Sequence, residues 1–144
     1  MIAVDANILV YAHRRDSPFH EVAASVMTTL AEQRQGWAIP WPCVHEFFAI
    51  VTHRRIFKQP SPVKTALGQL KAWLESPSLA LLSESDGYWE KLSKLLESSR
   101  ITGARVHDAR IAALCLHHSV ERLWTADRDF SRFPELVTEN PLVS

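Results

Sequence analysis

The stretch Ile2-Ala3-Val4-Asp5-Ala6-Asn7-Ile8-Leu9-Val10-Tyr11 places one acidic residue between two apolar runs. The first run has the length of a buried β-strand, and the second run is typical of the start of a helix. Asp5 would then lie at the carboxyl end of the strand. Because ligands in open α/β sheets bind beyond the carboxyl ends of the strands, this opening predicts an α/β fold with a site at Asp5.

The same strand-then-helix pattern recurs along the rest of the chain. Apolar runs predict further strands at residues 37–41, 79–82 and 123–125, and a short fifth strand at residues 136–137. Helices are predicted between them, at residues 19–34, after Pro42, after Ser61, after Asp86 and over residues 104–118. The alternation indicates a mostly parallel central sheet of four to five strands flanked by helices on both faces.

Helical spacing of the apolar residues predicts which side chains face the core. They are Val22, Val26 and Leu30; Val44, Phe47, Phe48 and Val51; Val63, Leu67, Leu70 and Leu74; and Trp89, Leu92, Leu95 and Leu96. Ser61 is predicted to cap the helix that begins near Val63, because a serine hydroxyl can accept a hydrogen bond from a free backbone N–H group.

The length and composition favour one domain. With 144 residues, a mass of 16.3 kDa and 47% hydrophobic residues, the chain can bury a core, and we expect residues 1–144 to form a single domain. Sixteen basic and sixteen acidic residues give a formal net charge of zero, so the overall charge does not indicate nucleic-acid binding. A polyanion would have to be bound by local clusters of positive charge.

Cysteine usage and hydropathy bear on the cellular compartment. Cys43 and Cys115 lack the paired short spacing of a metal site, and we expect both to be buried free thiols in a reducing compartment. The amino-terminal residues do not resemble a secretory signal, and no run approaches the roughly eighteen uncharged apolar residues of a membrane span. These features predict a cytoplasmic protein with no membrane association.

Three more acidic residues occupy positions comparable to that of Asp5. Glu46 points away from the apolar stripe of its helix, Asp108 lies at the start of a core-facing stripe, and Asp127 follows the strand at residues 123–125. Two carboxylates about 4 Å apart repel each other by about 4 kcal/mol at an effective dielectric constant of about 20. If these side chains share one cleft, a divalent cation is the simplest partner that would hold them together.

The four acidic side chains offer only oxygen ligands. Because oxygen ligands suit hard cations, the expected cofactor is Mg²⁺ or Mn²⁺, with one or two ions bound. Such ions favour metal-assisted phosphodiester hydrolysis. Arginines that are close to the acidic residues in sequence could bind the phosphates of a nucleic-acid backbone. These candidate RNA-phosphate contacts are Arg14, Arg15, Arg54, Arg55, Arg105, Arg110 and Arg128.

Four segments together resemble the PIN-domain ribonucleases, and most of all the VapC-type toxins of bacterial toxin–antitoxin pairs. The segments are Val-Asp-Ala-Asn-Ile-Leu-Val at residues 4–10, the Glu46 helix after a proline-containing strand, Gly-Ala-Arg-Val-His-Asp-Ala-Arg-Ile-Ala-Ala at residues 103–113, and Leu-Trp-Thr-Ala-Asp-Arg-Asp-Phe at residues 123–130. Their order and spacing cover essentially the whole chain. The resemblance implies a PIN-like fold, with residues 1–144 as a single PIN domain.

In function, the resemblance implies a Mg²⁺- or Mn²⁺-dependent endoribonuclease that cleaves structured RNA, usually transfer or ribosomal RNA. The residues that match the family's catalytic and metal-binding acidic quartet are Asp5, Glu46, Asp108 and Asp127. The matching supporting polar residues are Asn7, Thr125 and Asp129. For Asp129, a structural role at a helix start and a catalytic role both stay open. The resemblance also implies a homodimer and a cognate antitoxin protein whose tail occupies the cleft.

Other interpretations of the same residues stay open. A non-catalytic PIN-like binding module could use the acidic cleft to hold a basic segment of a partner. A phosphatase could use Asp5 as a phosphate-accepting aspartate, although no phosphate-binding lysine is placed for it. Taken singly, Asp5, Asp108 and Asp127 could each be a turn or helix-cap residue. A zinc site is not indicated, because His45-Glu46 lacks the second histidine of His-Glu-x-x-His.

Overall fold

The structure, a computed structural model, describes residues 1–143, in which short strands alternate with helices. The strands in this range are β1 (Ile2–Val4), β2 (Trp37–Pro40), β3 (Leu79–Leu82), β4 (Arg122–Trp124) and β5 (Thr138–Glu139). The α-helices are α1 (Ala6–His13), α2 (His20–Glu32), α3 (Trp41–Val51), α4 (Val63–Leu74), α5 (Tyr88–Ser98) and α6 (Val106–His117). Short 3₁₀ helices cover Gly103–Arg105 and Arg128–Arg132.

These five strands are parallel and form one sheet in the order β3-β2-β1-β4-β5. In the central strand β1, Ala3 pairs with Ala38 of β2 on one side and with Leu123 of β4 on the other. From β1 to β3 the chain moves toward one edge of the sheet, and from β3 to β4 it crosses back past β1. Because parallel crossovers are right-handed, the two directions place helices on opposite faces, and the predicted α/β fold class is confirmed.

The reversal of direction creates a switch point between β1 and β4. The chain leaves β1 toward β2 and leaves β4 toward β5, so these neighbouring strands lead away on opposite sides. Their carboxyl ends lie side by side, because the backbone N–H of Asp5 donates to the carbonyl of Trp124 at 2.9 Å. Side chains that follow β1 and β4 therefore meet at this point.

The middle of the sheet is buried because helices cover both of its faces. The strand residues that are at most 1% exposed are Ala3, Val4, Trp37, Ala38, Ile39 and Leu123. This burial explains why the strands appear in the sequence as continuous apolar runs rather than as alternating patterns. The second strand ends at Pro40, one residue earlier than predicted, and α3 begins at once with Pro42 in its first turn, where a missing N–H group costs little.

Apolar spacing predicts the wrong face at five positions. The exposed side chains are Val22, Val63, Leu67, Leu74 and Trp89. In α4 the buried residues are Ala66 and Leu70, so its core-facing side is rotated away from the stripe of larger residues. Alanine contributes little to a pattern of large apolar side chains, and for that reason spacing alone does not reveal this face.

Two local predictions are also wrong. Ser61 does not cap α4, because its buried hydroxyl lies 2.9 Å from His13 Nε2 and accepts from Arg14 Nη1 at 3.3 Å. The fifth strand is Thr138–Glu139 rather than residues 136–137. Leu136 is instead buried in a turn in which its N–H donates to the carbonyl of Phe133 at 3.0 Å.

Both cysteines are buried and unbridged, as predicted. Burial raises the pKa of the Cys115 thiol to about 12. Within residues 1–143, none of the helices combines the length and the apolar character that crossing a bilayer requires.

Candidate active site at the switch point

Asp5 lies at the junction of β1 and α1, where it is the N-cap of the helix. Asp5 is only 4% exposed. Both of its carboxylate oxygens accept hydrogen bonds. Oδ1 accepts from the backbone N–H of Ala6 at 2.8 Å and from the thiol of Cys43 at 3.5 Å. Oδ2 accepts from the hydroxyl of Thr125 at 2.7 Å and from the amide of Asn7 at 3.4 Å. These donors fix the orientation of the carboxylate.

Burial dominates the electrostatics of Asp5. Removal from water raises the pKa of its carboxyl group, and the hydrogen bonds from Thr125, Ala6 and Cys43 oppose this effect only in part. The negative charge of Asp127 raises the pKa further. Among residues 1–143, no basic side chain forms an ion pair with Asp5, so its charge is oriented without being neutralised.

The Thr125 hydroxyl connects the two strand ends. It donates to Asp5 Oδ2, and it accepts from Asn7 Nδ2 at 3.2 Å and from the backbone N–H of Asp127 at 3.0 Å. A hydroxyl has one hydrogen and two lone pairs, so its hydrogen-bonding capacity is fully used. Asn7 extends the connection, because its Oδ1 accepts from the backbone N–H of Ala126 at 3.1 Å. The two polar residues thereby join Asp5 to the segment that carries Asp127.

Asp108, Asp127 and Asp129 form the most compact part of the site. One carboxylate oxygen from each residue lies within 4.8 Å of the other two. Asp108 belongs to the first turn of α6, and Asp127 caps the 3₁₀ helix Arg128–Arg132 by accepting from the backbone N–H of Asp129 at 2.8 Å. Asp127 therefore caps a helix and joins the carboxylate group at the same time, so the two interpretations of this residue do not exclude each other.

Asp108 is influenced by the other carboxylates. Its partial burial raises its pKa most strongly, and the negative charges of Asp127, Asp5 and Asp129 add to the rise. The positive charge of Arg105 acts in the opposite direction and only partly compensates. The group formed by Asp108, Asp127 and Asp129 therefore carries more negative charge than the nearby Arg105 neutralises.

Glu46 points from the middle of α3 toward the same acids. Burial of its carboxyl group raises the pKa from the ordinary value of 4.5 to about 7, and the charges of Asp5, Asp108 and Asp127 contribute to the rise. Part of the residue remains exposed to solvent, so Glu46 lies at the rim of the cleft rather than in its floor. The four acids of the predicted quartet thus influence one another across four separate segments of the chain.

The donor set fits a hard divalent cation. Every candidate ligand atom is a carboxylate oxygen, and the pKa values of Glu46 and Asp108 are raised first by burial and then by neighbouring negative charges that a cation would offset. The most compact group contains Asp129, which the sequence left open between a structural and a catalytic role. Asp5 and Glu46 lie outside that group of three. The charge of Asp5 contributes to the raised pKa of Asp108, and the charges of Asp108 and Asp127 contribute to the raised pKa of Glu46.

Among the predicted phosphate contacts, Arg14 is held by partners within the chain. The residue is 8% exposed, and its guanidinium donates to both carboxylate oxygens of Asp16 at 2.9 and 2.6 Å. It also donates to the carbonyl of Gln59 at 2.9 Å and lies 4.0 Å from the ring centroid of Phe57. Arg14 therefore joins the loop after α1 to the loop after α3, and its role as a phosphate contact stays a prediction.

Arg15, Arg54 and Arg55 lie beyond the far ends of α1 and α3. Both helices begin at the carboxyl edge of the sheet, and their eight and eleven residues span about 12 Å and about 16 Å at about 1.5 Å per residue. These three exposed arginines therefore lie beyond the helix ends that point away from Asp5, although they follow the acids closely in sequence. Their contact with RNA phosphates stays a prediction.

Arg105, Arg110 and Arg128 remain beside the acids. Arg105 acts on the pKa of Asp108, and Arg128 directly follows Asp127 in the chain. Arg110 is paired with Glu84, with Nε and Oε1 2.6 Å apart. The contact of these three arginines with RNA phosphates stays a prediction.

A groove between α3 and α6 opens beside Glu46. Its cavity of about 480 Å³ is lined by Pro42, His45, Glu46, Ala49, His107, Arg110 and Ile111. His45 Nδ1 donates to the carbonyl of Trp41 at 2.9 Å, so Nε2 of the neutral ring is left as the acceptor. Neither His45 nor His107 is predicted as a site residue from the sequence. The only signal there is that each directly precedes a candidate acid.

Comparisons with known proteins agree with this architecture. A family model described as PIN domain matches residues 2–136. VapC ribonuclease Mb2897 of Mycobacterium bovis is 32% identical over 142 residues, which cover 99% of this chain and 96% of that protein. VapBC2 of Rickettsia felis, solved with a DNA fragment from its promoter, contains a chain with a TM-score of 0.70 and 23% identity, covering 96% of this chain and 98% of that one. VapC20 of Mycobacterium tuberculosis, described as a toxin that cleaves the sarcin–ricin loop, has a TM-score of 0.67 and 14% identity, with coverage of 91% and 93%.

Proposed function

The chain belongs to the PIN domain family, and from that membership we propose that it is a metal-dependent endoribonuclease and the toxin of a toxin–antitoxin pair. The observation that carries the proposal is the group of Asp108, Asp127 and Asp129, with ligand atoms within 4.8 Å of one another, next to the buried Asp5. Relatives named as VapC ribonucleases, matched over almost the whole chain, support the same activity.

We assign the catalytic and metal-binding roles to Asp5, Glu46, Asp108 and Asp127. Asn7 and Thr125 support them by orienting Asp5, and Asp129 adds a further oxygen ligand to the compact group. When bound, one or two Mg²⁺ or Mn²⁺ ions would stabilise negative charge on the scissile phosphate and make a bound water more acidic. The oxygen-only donor set supports this cofactor, as do the pKa values of Glu46 and Asp108, which burial and neighbouring negative charges raise.

The residues of the chain have distinct tasks in the proposed hydrolysis. Thr125 and Asn7 keep Asp5 in one orientation, so this buried carboxylate does not reorganise during the reaction. Without a metal ion, burial and the charges of Asp5, Asp108 and Asp127 raise the pKa of Glu46 to about 7, and a bound cation would favour its ionised form. The Glu46 carboxylate can then accept the proton that the attacking water loses as the new phosphorus–oxygen bond forms, while a solvent water protonates the leaving ribose oxygen on the opposite side of the phosphorus.

We place the substrate strand in the groove between α3 and α6, because this groove meets the acidic cleft at Glu46. Arg105 and Arg128 would hold phosphates on the cleft side, and Arg110 would do so inside the groove. His45 and His107 would contact a base through their ring faces. We expect His107→Ala to raise KM for RNA about fivefold with little change in melting temperature, whereas His53→Ala, on the loop after α3, should leave KM unchanged.

For the substrate and partner, we propose structured transfer or ribosomal RNA and a cognate antitoxin whose tail occupies the acidic cleft. Structural neighbours described as VapBC complexes support a partner of this kind, and VapC20 offers a neighbour that acts on the sarcin–ricin loop. We further propose that residues 1–144 form a single PIN domain, that the protein is a homodimer, and that it acts in the cytoplasm, where such RNA is found. Sedimentation equilibrium of the purified chain measures the oligomeric state.

The test of the activity is mapping of 5′ ends in total RNA after brief induction. The intact chain should create new 5′ ends at a small number of sites, and Asp108→Asn should create none. Asp86→Asn is the matched control, because it removes the same charge from an exposed loop outside the cleft. Identical end maps for the intact chain and Asp108→Asn would refute the nuclease. Calorimetry that detects no Mn²⁺ binding would then favour the non-catalytic binding module.

A further inference from the structure

Cys43 donates to the most buried acid of the site. Its Sγ lies 3.5 Å from Asp5 Oδ1, and because a carboxylate only accepts, the thiol must be the donor. Cys43 is 0% exposed, and it is the third residue of α3. The contact joins residues 38 positions apart in the chain, so the fold and not local geometry brings them together.

The other donors to Asp5 come from different elements. Ala6 and Asn7 belong to α1, and Thr125 follows β4. Among residues 1–143, Cys43 is the only donor to this carboxylate from α3. Glu46 lies three residues later on that helix, on a neighbouring part of its surface, so the thiol connects Asp5 to the helix that carries Glu46.

We propose that Cys43 is a positioning residue for the reaction, and that its thiol hydrogen holds Oδ1 of Asp5 and thereby sets the distance between Asp5 and Glu46. The inference rests on the proposed function, because it assigns Cys43 a task in that site. It predicts that loss of the donor weakens the binding of a divalent ion even when the fold is intact.

The surroundings of Cys43 keep it a donor. Cys43 is 0% exposed, so water does not compete with Asp5 for its hydrogen. A thiolate at this position would lie against a carboxylate without any water to separate the charges. The thiol hydrogen is therefore available for the bond to Asp5.

Cys115 is a matched internal reference. It is the only other cysteine, and it is also 0% exposed. Within residues 1–143, its sulfur forms no hydrogen bond to a side chain. Replacing either cysteine by alanine removes one buried sulfur, but only the change at Cys43 removes a bond to Asp5.

The direct test is the S–H stretching band in the infrared spectrum of the metal-free protein. The spectra of Cys43→Ala and Cys115→Ala each retain one thiol, so they assign the two bands. The Cys43 band should lie at lower frequency than the Cys115 band, and Asp5→Asn should shift it toward the Cys115 position, because the acceptor loses its charge. Equal frequencies for the two thiols in the unaltered chain would overturn the proposal.

A second measurement connects the bond to the site. Calorimetric titration with Mn²⁺ should give about tenfold weaker binding for Cys43→Ala, at the lower end of the effect of losing a group that orients a metal ligand, because a thiol is a weak donor. Cys43→Ser, which keeps a donor, should recover most of the affinity, and Cys115→Ala should bind like the unaltered chain. Equal affinities for Cys43→Ala and Cys115→Ala would contradict a positioning role.

The infrared band and the RNA cleavage assay together separate this inference from the proposed function. A shifted Cys43 band in a chain that cleaves no RNA would leave the hydrogen bond intact and reject the nuclease. An unshifted band in a chain that cleaves RNA would reject the positioning role and leave the nuclease intact.

Discussion

Thr125 shows how one side chain can determine the geometry of a site. Its hydroxyl uses its single hydrogen on Asp5 and both lone pairs on Asn7 and the backbone N–H of Asp127. The residue is 3% exposed, so water cannot replace any of these partners. Loss of the hydroxyl would remove one hydrogen bond each from Asp5 Oδ2, Asn7 Nδ2 and the backbone N–H of Asp127. A buried polar group that loses its partner costs more free energy than the net contribution of an ordinary hydrogen bond.

We therefore expect Thr125→Val to lower the free energy of unfolding by about 1–3 kcal/mol, because the change keeps the shape and leaves buried polar groups unpaired. Urea denaturation measures this loss. Thr125→Ser is the control, since it keeps the hydroxyl and removes one methyl group, at a cost of about 1 kcal/mol or less. The claim fails if serine and valine at this position destabilise the chain equally.

Glu46 predicts a particular pH dependence for the metal-free protein. Burial and the charges of Asp5, Asp108 and Asp127 raise its pKa from 4.5 to about 7, so the folded chain holds this proton more tightly than the unfolded chain. The stabilisation is complete below about pH 4.5 and is lost as the pH rises through about 7. In chelator, the melting temperature should therefore fall across this range.

Glu46→Gln should make that fall shallower, because glutamine carries no charge that burial and repulsion could disfavour. Asp5 and Asp108, whose pKa values are also raised, would still contribute a residual slope. Glu90→Gln provides the comparison, since Glu90 is exposed on α5. Thermal melts between pH 4.5 and 8 that run parallel for Glu46→Gln and the unaltered chain would be inconsistent with this assignment.

The end of α1 determines how the two arginines that follow it, Arg14 and Arg15, are placed. Arg14 and Arg15 are neighbours at the end of α1, yet Arg14 is buried with four hydrogen bonds to other residues and Arg15 is exposed. The flat guanidinium of Arg14 pairs with both oxygens of Asp16 and stacks on Phe57, a combination that an ammonium group cannot reproduce. Arg14 thus belongs to the connection between two loops.

We expect Arg14→Lys to destabilise the chain by about 2 kcal/mol, because buried hydrogen bonds from a charged group are lost. Arg15→Lys makes the same substitution one residue away and should change stability by no more than about 0.5 kcal/mol, since its side chain is exposed. Equilibrium denaturation of the two variants side by side measures the difference. Similar losses for both would mean that the Arg14 network contributes little.

At the level of the entire fold, five strands bring acids from four segments to one switch point. The repulsion among them opposes folding, and a bound cation would oppose the repulsion. Removing one of these carboxylates should therefore raise the stability of the metal-free chain and weaken its binding of a divalent cation.

For Asp108→Asn we expect the order of the melting temperatures of the variant and the unaltered chain to reverse when Mn²⁺ replaces chelator. In chelator near pH 7.5 the variant should melt at a higher temperature than the unaltered chain, because burial and the neighbouring charges raise the pKa of Asp108 and make its ionised form unfavourable. At a Mn²⁺ concentration of about 100 times Kd the unaltered chain should gain about 2.7 kcal/mol, and the variant should gain much less.

Differential scanning calorimetry in chelator and in Mn²⁺ measures both halves of this prediction. Asp86→Asn, on an exposed loop, should follow the unaltered chain under both conditions. A variant at Asp108 that melts below the unaltered chain in chelator would show that this carboxylate stabilises the metal-free fold.

Much of the fold and the identity of the candidate acids can be predicted from local sequence, because burial on both faces makes a strand an apolar run and because Asp5 and Asp127 directly follow such runs. The catalytic roles of these acids stay predictions. Local patterns fail for α4 and Trp89, where small residues or the end of a helix decide which face is buried. They also do not reveal that Arg14 is buried with its guanidinium on Asp16 and Gln59, because that arrangement depends on how two loops pack.

Strand order is the feature that no local pattern contains. The bonds from Thr125 and Cys43 to Asp5 span 120 and 38 positions, and they exist because β4 and α3 are placed beside the end of β1. The raised pKa of Glu46 arises in the same way, from burial and from charges contributed by distant segments. Residue types along a chain define which groups can ionise or donate, but their protonation and partners depend on distances that only the packed arrangement of strands and helices establishes.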